Sequence, residues 1–179
     1  MKQLQAIQTL REFDKKGKYV FIKHDMAKLF PHDHPKALNE GLSRLVKAGL
    51  IKRACRGIYV NDHAQCFDSY ALEQIAKALR RNAYNYVSLE SALSEYGLIS
   101  QIPLDRLTVM TTGREGVYKT SYGVIEFTHT KRTVMNILDH IQTIAGRPLR
   151  IATKEAALRD LKRVGRNLHL LRGEGGDDE

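Results

Sequence analysis

The sequence predicts an α+β protein in two parts, and three observations carry that prediction. Hydrophobic spacing switches along the chain between the three- and four-residue steps of buried helix faces and short β-branched or aromatic runs. Glycines and prolines fall where those segments need to end. Charge is split: residues 1–60 hold 13 basic and 5 acidic side chains and residues 61–179 hold 16 and 15, so nearly all of the net +9 lies in the first third. A basic block beside a neutral one is the electrostatic footprint expected of a segment that meets a polyanion.

The length of 179 residues fits one domain or two small ones, and 42% apolar residues suffice for a packed core. The longest unbroken apolar run is Tyr19–Ile22, far short of the roughly 20 residues of a membrane span. The first residues lack the apolar stretch of a secretory signal. Two cysteines make no disulfide framework. A reducing cytoplasm is the expected setting, with no membrane partner.

Residues 2–16 read as a helix with Leu4, Ile7, Leu10 and Phe13 on a broad stripe, closed by Gly17. Tyr19–Ile22 reads as a short strand. His24–Phe30 reads as a short helix, stopped by Pro31, with His32-Asp33-His34 as the turn. Pro35 opens the next helix, whose Leu38, Leu42, Leu45 and Val46 follow one buried face until Gly49. Leu50–Ala54 and Ile58–Val60 read as two strands of a hairpin turned at Gly57. This order of three helices and a basic hairpin is that of a winged helix-turn-helix. The string GLSRLVKAGLIKRACRGIYV resembles the recognition helix and wing of bacterial winged-helix regulators.

After a linker at 61–67, Asp68 stands where it would cap a helix running to about Arg81, with Leu72, Ile75, Ala76 and Leu79 on one face. Ser88 stands before a second helix carrying Leu89, Ala92, Leu93 and Tyr96, ended by Gly97. Leu104–Thr112 and Gly116–Thr130 read as strands, the latter turned at Ser121-Tyr122-Gly123. Val134, Ile137, Leu138, Ile141 and Ile144 have helical spacing, and Thr153 opens a last helix with Ala157, Leu158, Leu161 and Val164 inward. The expected organisation is therefore a winged helix-turn-helix domain at 1–62, an α+β domain with a small antiparallel sheet at 68–172, and a disordered acidic tail at 173–179.

A helix fits the major groove of a duplex, and its outer polar residues reach base edges or phosphates. Lys36, Asn39, Glu40, Ser43, Arg44 and Lys47 occupy that outer cylinder, with Glu40 able to accept from a cytosine. Lys52, Arg53 and Arg56 set the hairpin against an adjacent backbone, and Lys23 and Lys28 are placed to clamp phosphates beside the preceding helix. The competing reading of these residues is an ordinary solvated surface. A second basic cluster, Arg147, Arg150, Arg159, Lys162, Arg163 and Arg166, offers a second polyanion surface, since the last four recur at helical steps. An ordinary solvated face is the simpler reading of that cluster.

Other chemistry is thin. Cys55, His63 and Cys66, with His24, His32 and His34 nearby, lack the paired spacing of a structural zinc site, so no metal is expected. Ser88, Ser91 and Ser94 lie in no Gly-x-Ser-x-Gly elbow. Asp105, Glu126 and His129 are the residues a nucleic-acid enzyme would need, and no Glu-x-Lys accompanies them. Thr112-Gly113-Arg114-Glu115-Gly116 lacks the Gly-Lys-Ser/Thr ending of a phosphate loop. Neither an enzyme nor a cofactor is expected.

Four later segments resemble the AbiEi-type antitoxins of type IV, abortive-infection toxin–antitoxin systems. Residues 86–99, YVSLESALSEYGLI, are similar to that family's Y-x-S-L-x-S-A-L-x-x-x-G-L-I. Thr108–Gly113 resembles its T-V-x-T-T-G strand, Tyr122–Phe127 its F-G-x-I-E-F hairpin, and Ile151–Leu161 its I-A-T-P-E-K-A-L-x-D-L helix start, with Lys154 and Ala156 in place of the Pro and Lys. The resemblance implies a protein that binds inverted repeats of double-stranded DNA in its own promoter as a monomer or weakly cooperative dimer. It implies repression of its own operon and neutralisation of a nucleotidyltransferase-like toxin without a stable complex. No catalytic residues carry over. The alternative is a stand-alone winged-helix regulator whose second domain senses a ligand or dimerises.

Overall fold

The computed structural model describes residues 2–99 and 105–171. The expected strand start at Leu104 and the tail at 173–179 lie outside them. The chain divides into two compact units. One comprises the residues up to Leu79 together with Thr120–Tyr122, and the other the remaining described residues.

The first unit runs α1 (Gln3–Asp14), β1 (Val20–Ile22), α2 (Lys23–Leu29), α3 (Pro35–Lys47), β2 (Lys52–Cys55), β3 (Ile58–Val60) and α4 (Ala71–Leu79). Its three strands form an antiparallel sheet in the order β1-β3-β2. The apolar stripes read from the sequence meet in one core of Ala6, Leu10, Phe21, Met26, Phe30, Leu38, Leu42, Leu45 and Ile51. Gly17, at φ +73°, lets Lys18 turn back and donate to the Phe13 carbonyl at 2.9 Å, which closes α1. Gly57 takes φ +80° between β2 and β3, and a bulge between Arg53 and Cys55 shifts the register of the pair.

The segment after the hairpin is tied down at both ends. Asp14 accepts the backbone N–H groups of Gln65 and Cys66 at 2.9 and 3.0 Å, and the Tyr19 hydroxyl donates to Asp68 at 2.6 Å. Asp68 also accepts from the Tyr70 N–H. Helix α4 then buries Ala71, Ile75 and Ala76 and packs on β1 and β3. It therefore belongs to the first unit, whereas the linker reading began the second domain at 68.

The second unit contains β4 (Asn85–Val87), α5 (Leu89–Glu95), β5 (Arg106–Thr111), all but the last residue of β6 (Gly116–Thr120), β7 (Gly123–His129), α6 (Val134–Leu138), β8 (Ile141–Gln142), β9 (Arg150–Ala152) and α7 (Lys154–Val164), then a 3-10 turn at Leu168–Leu170. The expected small antiparallel sheet is replaced by a six-stranded mixed one in the order β6-β7-β5-β4-β9-β8. β5 with β7 and β4 with β9 run parallel. Helices α5 and α7 pack on each other, burying Leu89, Leu93, Ala157 and Leu161.

The expected helix at 134–144 stops at Leu138. Met135, Leu138 and Ile144 stay exposed, and Ile141–Gln142 pairs with β9 instead. Only Ile137 of that apolar spacing is fully buried, so no continuous stripe held a longer helix together. Thr153 caps α7 as its position suggested, accepting from the Ala156 N–H at 3.3 Å, and Gly165 at φ +71° ends it.

Candidate nucleic-acid interface

α3 buries Leu38, Leu42 and Leu45 and so turns the opposite side of its cylinder outward. Lys36, Asn39, Glu40, Ser43, Arg44 and Lys47 are all exposed there. Hydrophobic burial, not any preference of the polar residues, sets this orientation. The sheet presents β2 beside it, and strand pairing sets Arg53 opposite Tyr59. Lys23 is fixed at the start of α2, where its N–H donates to the Gly57 carbonyl at 2.8 Å. These three elements enclose a groove lined by Lys23, Asn39, Ser43, Val46, Arg53, Arg56, Gly57 and Tyr59.

The groove thus brings together five of the residues singled out from the sequence. Its lining contains no carboxylate. Among the described residues, Lys23, Arg53 and Arg56 form no ion pair. Three unneutralised cations in one concave surface make a strong attractor for phosphate oxygens. Asn39 and Ser43 add neutral donors and acceptors on the facing wall.

The other singled-out residues of this unit do not line the groove. Lys28 is exposed on the last turn of α2, and Lys36, Glu40, Arg44 and Lys47 lie elsewhere on the exposed side of α3. Lys52 alternates away from Arg53 along β2 and is held by Asp62 at 2.6 Å. Sequence reasoning missed Tyr59 and treated Val46 as core alone. The two-residue period of a strand would have found Tyr59, since it lies across from Arg53.

Two members of the second basic cluster are held in ion pairs. Arg147 grips Glu95 through two nitrogens, at 2.7 and 2.8 Å. Arg166 falls beyond Gly165, off the end of α7, and is bound between Glu90 and Glu126. Arg106 holds the other oxygen of Glu126 at 2.9 Å, and the Asn167 amide donates to Glu90. Arg150, Arg159, Lys162 and Arg163 remain exposed on β9 and α7.

Two of the three residues weighed for nuclease chemistry are engaged elsewhere. Glu126 belongs to the arginine cluster just described, and His129 Nδ1 lies 2.8 Å from the Gly113 carbonyl. Among the described residues, no group of three or more His, Cys, Asp or Glu is arranged to hold a metal. Cys55 and Cys66 are free thiols. Burial first, then the hydrogen bond with Asp14, pushes the Cys66 thiol up to about 11.

The deepest polar group of the second unit that carries a charge is Asp160, 1% exposed. It accepts from Ser88 Oγ at 2.8 Å and the Tyr86 hydroxyl at 3.3 Å, and its other oxygen faces Arg132 at 2.9 Å. Ser88 occupies the cap position of α5, but its hydroxyl makes no bond to that helix. Burial, followed by the Asp160 charge, raises the Tyr86 phenol above its ordinary value and keeps it a donor. A charge-compensated network of this kind holds β4, α7 and the chain before α6 together rather than exposing a reactive group.

No curated protein matches the chain. The model of a family of unknown function, DUF6088, matches residues 5–174, and the chain belongs to that family.

Proposed function

We propose that the first unit binds double-stranded DNA as a winged helix-turn-helix and that the protein is an autorepressing antitoxin of the AbiEi type. The observation that carries the DNA reading is the groove between α3 and the β2–β3 hairpin, lined by Lys23, Arg53 and Arg56 with no carboxylate among them. The element order α1-β1-α2-α3-β2-β3 and the sheet order β1-β3-β2 support it. In this reading α3 enters the major groove, and Arg53 and Arg56 contact the backbone beside it.

Binding to a duplex covering the protein's own promoter, followed by fluorescence anisotropy across a salt series, tests the reading. Affinity falls linearly with log salt if the groove neutralises phosphates. A salt-independent signal, or no binding, rejects it. The antitoxin half of the proposal rests on the resemblance of residues 86–99, 108–113, 122–127 and 151–161. Co-expression with a neighbouring toxin-like gene tests that half. Growth rescue by the full chain supports it, and toxicity that persists at matched protein levels rejects it.

A further inference from the structure

The two walls of the groove differ in chemistry. Lys23, Arg53 and Arg56 carry all of its charge. The α3 wall consists of Asn39, Ser43 and Val46, four and then three residues apart, which makes one row along the helix with a carboxamide, a hydroxyl and two methyl groups. Cations on a phosphate carry no sequence information, so any selection between bases within this groove falls to the uncharged row.

Resting on the DNA reading above, we propose that this row selects A·T base pairs, with the Asn39 carboxamide on an adenine edge and Val46 against a thymine methyl group. A carboxamide offers one donor and one acceptor side by side, which matches the N6 donor and N7 acceptor of adenine. Guanine presents two acceptors there and is matched by Arg or Lys, neither of which lies on this row. Thymine alone carries a methyl group in the major groove, and Val46 is the apolar member of the row. Ser43 bonds to any base and adds no preference. Seven residues separate Asn39 from Val46, a rise of about 10 Å along a helix. That span covers about three base-pair steps at roughly 3.4 Å each.

The test is selection from a duplex library with a randomised central segment, using the full chain, followed by affinity measurements on the enriched site at fixed salt. The expected site holds an adenine and a thymine within about three steps. Asn39→Ala lowers discrimination at the adenine by roughly fivefold to a hundredfold. Its salt slope stays as in the wild type, because the substitution removes no charge. Val46 also packs against the core, so its contact is removed from the DNA side. Uracil in place of the selected thymine deletes one methyl group and weakens binding about fourfold. Enrichment of G·C at these positions overturns the inference. An unaltered preference in Asn39→Ala, or equal affinity for uracil and thymine, also overturns it. Each of these outcomes leaves salt-dependent DNA binding in place. Absence of salt-dependent binding to any duplex removes the DNA reading itself and the inference with it.

Discussion

Lys52 is held by the Asp62 carboxylate at 2.6 Å, while its neighbour Arg53 lines the groove beside α3 with no acidic partner among the described residues. Adjacent basic residues on one short strand thus have different electrostatic roles. The expected result is that Arg53→Ala combined with Arg56→Ala weakens promoter binding and reduces the salt slope by about 0.9 for each phosphate that is no longer neutralised. Lys52→Ala leaves the slope nearly unchanged. Anisotropy titrations at four or more salt concentrations check both, and a Lys52 effect equal to that of Arg53 contradicts the assignment.

Arg147 offers a second contrast. Its guanidinium is spent on Glu95, and its side chain is only 4% exposed. Arg147→Ala should leave DNA affinity as it is and lower stability by about 1–3 kcal/mol as its charge-assisted hydrogen bonds disappear. Urea denaturation and anisotropy on one preparation separate the two effects. Weakened DNA binding with unchanged stability would place Arg147 on a binding surface after all.

Asp160 anchors Ser88, Tyr86 and Arg132 in the interior of the second unit. Asp160→Ala strands the half-buried Arg132 guanidinium and two hydroxyls, at a cost of up to about 3–5 kcal/mol. Ser88→Ala removes one neutral donor to a charged acceptor and costs about 1.5–3 kcal/mol. Chemical denaturation should rank them in that order, and equal stability of Asp160→Ala and wild type would show that the network contributes nothing.

The Asp14 carboxyl is held below its ordinary value of 3.8 by the N–H groups of Gln65 and Cys66. A carboxyl depressed in the folded state contributes stability above its unfolded pKa and loses it as the pH falls through the lower folded value. Wild type should therefore exceed Asp14→Asn in unfolding midpoint at neutral pH. The difference should shrink below about pH 4 and then disappear. The same substitution relieves the Cys66 thiol, which burial and Asp14 push up to about 11. At pH 8 wild-type Cys66 should alkylate roughly tenfold or more slowly than a small free thiol. Asp14→Asn should speed that reaction, as read by peptide mass after iodoacetamide.

Local signals in the sequence located most of the first unit. Leu38, Leu42 and Leu45 define one face of α3, and Gly17 and Gly57 mark backbone turns that need positive φ. These features depend on residues a few positions apart. What escaped depends on partners far along the chain. Ser88 looks like a cap, yet its hydroxyl goes to Asp160. Ile141 has helical spacing with Ile137 and Leu138, yet it pairs with Ala152 in the sheet. Arg166 continues the step of Arg159 and Arg163, but Gly165 ends the helix and redirects it to Glu90 and Glu126. In the groove, Asn39, Ser43, Arg53 and Arg56 were legible from outward polarity. Tyr59 was legible only through the two-residue period of its strand, which turns it away from the buried Ile58 and Val60.

The parallel pairing of β4 with β9 sets Tyr86 against Arg150 and Val87 against Ile151. On a translating ribosome the first of these strands emerges long before its neighbour is made, a wait of roughly 3–13 seconds at ordinary elongation rates. The first unit draws all but Thr120–Tyr122 from residues up to Leu79. A nascent chain therefore carries an almost complete leading half and, behind it, a strand with a bare edge open to wrong pairing or to chaperones.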